Sequence, residues 1–179
     1  DKTMNDVVFD DADTQGRDKT QAITEFIGYA HDELAKEGLF VSADVFGTIM
    51  RSEEDAAAVG QEYEDMAEQL DYICPMIYPS HYGPGNFGIE YPDTQPYDTI
   101  LNALNGSGEL LAASAKEDAP QAVVRPWLQD FTASYLEHYI KYGDEQVRQQ
   151  IQAVYDAGYD QWILWDAGVS YHYGGLLTP

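Results

Sequence analysis

The stretch LFVSADVFG (39–47) decides the fold. It is β-rich, bounded by Gly38 and Gly47, and preceded by apolar residues at helical spacing (Ile23, Phe26, Ile27, Ala30, Leu34). A helix over 18–36 therefore runs into a strand over 39–46, with Gly38 as its stop. The same sentence repeats down the chain. Ser52 with Glu53, Glu54 and Asp55 caps a helix to about Leu70, followed by DYICPMIYPSHYG (71–83), a strand over 71–78. Pro96 opens a helix to about Lys116, interrupted at Gly106 and Gly108. AVVRPWLQDF (122–131) follows, a strand over 122–129. Residues 144–157 carry Val147, Ile151 and Val154 on one stripe, with Gly158 as stop, before DQWILWDAG (160–168), a strand over 160–166. Strands that alternate with helices pair in parallel through right-handed crossovers. The fold class is α/β, built from parallel βα units.

Composition narrows the function. The chain has 179 residues, enough for one domain with a real core. Nine Lys and Arg against 32 Asp and Glu give a net charge of −23, which repels phosphate backbones and anionic membrane surfaces. Nucleic acid is therefore not an expected partner. Fourteen Tyr, three Trp and six Phe are too many for a disordered chain. One cysteine, Cys74, allows no internal disulfide and no thiolate cluster, and it sits mid-strand as an inert thiol. No apolar run approaches the ~20 residues of a membrane span, so no membrane insertion is expected. The polar start, with Asp10, Asp11 and Asp13, reads as loop over 1–17; it does not match a calcium loop, and neither metal nor cofactor is expected. No GxSxG elbow is present.

Each strand is apolar at its start and polar or aromatic at its carboxyl end. In a parallel α/β protein those ends share the face where sites lie. The first offers Asp44; the second Tyr78, Ser80, His81 and Tyr82; the third Arg125, Trp127, Gln129 and Asp130; the fourth Trp165 and Asp166. Period-two alternation puts Phe40, Ser42, Asp44 and Phe46 on one face and Val41, Ala43 and Val45 on the other. Asp44 is thus expected to point inward. There it is either a structural carboxylate paired with Arg125 or a backbone amide, or an acid/base group. Arg125, in an apolar strand, needs a carboxylate from Asp44 or from substrate. Asp130 and Asp166 divide between catalysis and capping of loops. Trp127 and Trp165 divide between core packing and stacking on sugar rings. His81, in YPSHYG, suits hydrogen bonding to substrate better than metal ligation.

VSADVFG (41–47), ICPMIYPSHYG (73–83), VRPWLQDF (124–131) and WILWDAG (162–168), in this order and at these intervals, resemble a family of glycoside-hydrolase-type (β/α)8 barrels long catalogued as a domain of unknown function. The resemblance covers the chain from about residue 18. It implies that the four strands are the last four of a TIM-type barrel, the second half, with the first half upstream. A full barrel takes about 250 residues. By analogy with amylase-type barrels, a carboxylate on the absent fourth strand would be the nucleophile and Asp44 the acid/base. Asp130 or Asp166 would stabilise an oxocarbenium-like charge. Relatives often carry Asn in place of Asp166, which departs from that role. The implied activity is polysaccharide cleavage by paired carboxylates, whose separation of about 5–5.5 Å or about 6.5–9.5 Å sets retention or inversion. The chain alone is then expected to be inactive, and its open barrel edges to drive self-association. The alternatives are a non-catalytic carbohydrate-binding barrel and an assembly domain without ligand. The family's parents imply an extracytoplasmic or cell-surface location.

Overall fold

The computed structural model describes residues 15–115 and 121–176; the acidic cluster at 10–13 lies outside them. The elements run α1 Lys19–Ala35, β1 Ser42–Phe46, α2 Glu53–Val59, α3 Tyr63–Ala67, β2 Tyr72–Ile77, α4 Pro96–Ser114, β3 Val123–Val124, β4 Trp127–Gln129, α5 Asp144–Asp156 and β5 Ile163–Trp165, with short 3-10 turns between them. All pairings are parallel, in the order β1-β2-β4-β5, and β3 also pairs with β2. The expected alternation of strand and helix is present, and sequence neighbours are sheet neighbours.

Local chemistry explains the boundaries. Asp18 caps α1 by accepting from the Gln21 amide, and Gln21 reaches back to the Asp18 amide. The helix expected over 52–70 is two helices. Gly60 ends α2 in the left-handed region (φ 72°), where a side chain would be strained, and the chain turns before Tyr63. The helix from Pro96 is continuous through Gly106 and Gly108, against expectation. A Cβ at Gly106 would collide with the Arg51 guanidinium, which lies across α4 and donates to the Asn102 carbonyl at 3.0 Å. The glycine makes room for packing there. The third strand is broken between Val124 and Trp127, because Pro126 has no N–H to give the ladder. On α1 only Ile27 is buried; Phe26 and Leu34 face out.

The core sits on one side of the sheet. Val45, Ile73, Ile77, Val124 and Leu128 point under the helices and meet Ile100, Leu104, Val147, Ile151 and Val154. The opposite face carries Ser42, Asp44, Phe46, Tyr72, Cys74, Met76, Val123, Arg125, Trp127, Ile163 and Trp165. It is only partly covered: Phe40 is 77% exposed, Phe46 50% and Trp165 43%.

Candidate functional site

Asp44 lies on that open face and is exposed, which corrects the expectation of a buried carboxylate. The strand parity is as expected, but the face it selects is uncovered among the described residues. Asp44 is not paired with Arg125. Its Oδ1 accepts from the Trp127 indole Nε1 at 2.7 Å, across β2. Its Oδ2 carries no bond among the described residues. The Trp127 ring meets Trp165 edge-on, centroids 5.9 Å apart. Register explains this: Trp127 is opposite Met76 on β2 and Ile163 on β5, so its ring reaches both β1 and the end of β5.

Arg125 spends its guanidinium elsewhere. Nε and Nη2 donate to Gln161 Oε1 at 2.8 and 2.6 Å, and the group lies 3.9 Å over the Tyr72 ring. A carboxamide and an aromatic face replace the expected carboxylate.

The end of β2 builds a second part of the mouth. Tyr78 meets His81 and Phe131 edge-on at 5.0 and 5.9 Å. Burial, then the nearby Asp44 and Tyr171, push the Tyr78 hydroxyl up to about 12, so it stays a neutral donor. His81 lies at the rim, where burial on its inner side lowers its pKa. Ser80 is buried, its amide donating to Gln129 Oε1 at 3.1 Å and its hydroxyl accepting from Tyr135 at 3.4 Å. Beside it lies a groove of about 260 Å3 lined by Ser80, His81, Tyr91, Asp93, Glu137 and His138, with the Tyr91 and His138 rings 3.9 Å apart. A larger cavity of about 760 Å3 lies among α2, α3 and α4 and includes none of the strand-end residues named above.

Three expected substrate or catalytic groups are occupied within the protein. Gln129 is fully buried: its amide and carbonyl are bridged by Gln150, and its side chain joins Ser80, Asp93 and the Phe131 carbonyl. Tyr82 packs into the core beside Phe87, with its hydroxyl in the space Gly47 leaves by lacking a Cβ. Asp166 accepts from the Ser170 amide at 2.8 Å and so shapes the turn after β5.

Asp130 is buried at the end of β4, and its partner, His172, is a residue the sequence reading missed. Asp130 Oδ1 lies 2.6 Å from His172 Nδ1, and Oδ2 accepts from the His172 amide at 2.9 Å. The two are 42 residues apart, so no motif announced the pair. Among the described residues no group of three or more His, Cys, Asp or Glu is arranged to hold a metal ion, and no helix is long and apolar enough to cross a membrane.

The architecture matches a solved protein. The glycoside hydrolase domain of PgaB (BpsB) from Bordetella bronchiseptica superposes with a TM-score of 0.51 at 13% identity, covering 88% of this chain. This chain spans 42% of that one. The likeness shows the fold: parallel βα units forming part of a TIM-type barrel. No curated protein sequence matches the chain. The model of the family described as "Putative glycosyl hydrolase domain" matches residues 1–171, and the chain belongs to that family.

Proposed function

We propose that the chain supplies half of the active site of a polysaccharide-cleaving glycosidase. The observation that carries this is Asp44, a carboxylate on the open sheet face, oriented by one tryptophan beside a second. Sugar rings present axial C–H groups that stack on indole faces, and glycosidic cleavage needs a carboxyl group at the scissile oxygen. In this reading the Trp127 N–H fixes Asp44 through Oδ1 and leaves Oδ2 for proton transfer. Trp165, exposed at the strand end, is the stacking platform, and Tyr78 donates to a sugar hydroxyl.

Two carboxyls must flank the bond, and we assign only one to this chain. Asp130 and Asp166 are both committed to backbone amides. The chain alone is therefore inactive in this reading, and catalysis belongs to a protein that unites it with the first half of a barrel. A surface or extracytoplasmic site of action fits a polymeric substrate.

The commitment of those two carboxylates also favours the second reading, a carbohydrate-binding barrel without turnover. One experiment separates them. A protein containing both halves is assayed for new reducing ends on a polysaccharide panel, beside its Asp44→Asn variant. Cleavage that falls by about 10²–10⁴ in the variant supports the enzyme. Binding without cleavage by either protein supports the second reading and overturns the first.

A further inference from the structure

We infer that His172 is a sugar-contacting group of this site, held by Asp130 so that its Nε2 accepts a hydrogen bond from a substrate hydroxyl. This rests on the carbohydrate reading above and adds to it a residue and a state.

The argument starts from the buried carboxylate. Asp130 is 1% exposed, and a charge placed there must be bonded on both oxygens. His172 does this alone, Oδ1 taking the ring nitrogen Nδ1 and Oδ2 the backbone amide. Two contacts to one residue fix both the position of the loop and the rotation of the imidazole. A carboxylate only accepts, so Nδ1 carries the proton, and in the neutral ring Nε2 is left as an acceptor. Nε2 has no bond among the described residues, and the His172 side chain is 40% exposed. Placement completes the case. The Asp130 amide donates to the Trp165 carbonyl at 2.8 Å, so the dyad stands at the carboxyl end of β5, against the backbone of the residue that carries the exposed indole. Tyr171, one residue before His172, is near enough to Tyr78 for its charge to be felt there. The loop after β5 is thus tied to the end of β4 through Asp130 and passes near Tyr78. The ring bond satisfies the second buried oxygen and at the same time sets the tautomer that leaves the far nitrogen free to accept. Asp130 is then a positioning residue acting through His172.

The test is nitrogen NMR of the whole chain with labelled histidine, together with tryptophan fluorescence. Probes are cellohexaose, chitohexaose, maltohexaose and xylohexaose, added singly. Free protein is expected to show His172 as the Nδ1–H form, and Asp130→Asn to release that preference. A hexaose that quenches tryptophan is expected to shift the Nε2 resonance, and His172→Gln to weaken its binding about fivefold, the loss of one hydrogen bond. Quenching that leaves Nε2 unmoved, or an Nε2–H form in the free protein, overturns the proposal while the carbohydrate reading stands. If no hexaose quenches tryptophan, that reading fails and takes the proposal with it.

Discussion

At the scale of single residues, Asp44 and Trp127 show how one bond couples two candidate groups. Trp127→Phe keeps a smaller aromatic ring and deletes the N–H, so Asp44 loses its orienting donor while the Trp165 platform is retained. In a protein with both barrel halves, kcat is expected to fall about tenfold with KM little changed, read by steady-state kinetics. An equal rise in KM instead would make Trp127 a binding group and Asp44 independent of it. Cys74 gives a cleaner residue-scale prediction. It is buried, and burial, then the nearby Asp44, raise its thiol from an ordinary 9.0 to about 11, with Arg125 pulling the other way. Little thiolate forms at pH 8, so a disulfide reagent is expected to react slowly with native chain and at once in denaturant. The sign for stability follows. Between pH 9 and 11 the folded thiol keeps a proton that the unfolded one has lost. This group's contribution is therefore complete below pH 9 and declines as pH rises toward 11. Fast native labelling at pH 8 would contradict the burial.

At the scale of elements, α5 and β4 are joined by one side chain. Gln150 is fully buried, its Oε1 accepting from the Gln129 amide at 2.9 Å and its Nε2 donating to the Gln129 carbonyl at 2.7 Å. It stands in for the neighbouring strand that a ladder would supply. Gln150→Leu fills the volume but strands two buried backbone groups, at about 1–3 kcal/mol each. A loss of about 2–6 kcal/mol is expected from urea midpoints. A loss under about 0.5 kcal/mol would mean that water reaches β4. The same region fixes Ser80 and Asp93 through Gln129, so the variant is also expected to loosen the groove that ends β2.

At the scale of the molecule, the sheet has a dry side and a wet side. Helices cover Val45, Ile73, Ile77 and Leu128, while Phe40, Phe46, Val123 and Trp165 face outward. Among the described residues β1 and β5 each pair on one edge only. Exposed aromatics beside open strand edges favour association, opposed by the net charge of −23. The chain is expected to show a mass above that of the monomer by light scattering at micromolar concentration, increasing with salt as the charges are screened. Phe40→Lys with Phe46→Lys is expected to return it to monomer. A salt-independent monomer in the unmodified chain would count against association through this face.

The amino-acid sequence by itself determined the order of elements, the parallel pairing and which residues stand at the strand ends. Each of these depends on spacing along the chain: helical stripes, β-branched runs, glycine stops. It also determined which residues share a face with Asp44, because alternation along a strand needs no knowledge of neighbours, but not whether that face is covered. What only the tertiary structure decided is who those residues touch. Asp44 meets an indole 83 residues away, not Arg125, and Arg125 meets a carboxamide. Gln129 and Tyr82 read as site residues and are taken by the core, while His172, in a stretch with no motif, closes on Asp130. Partners at such separations are set by strand register and loop path, which depend on the packing of all the helices at once and leave no local mark in the sequence.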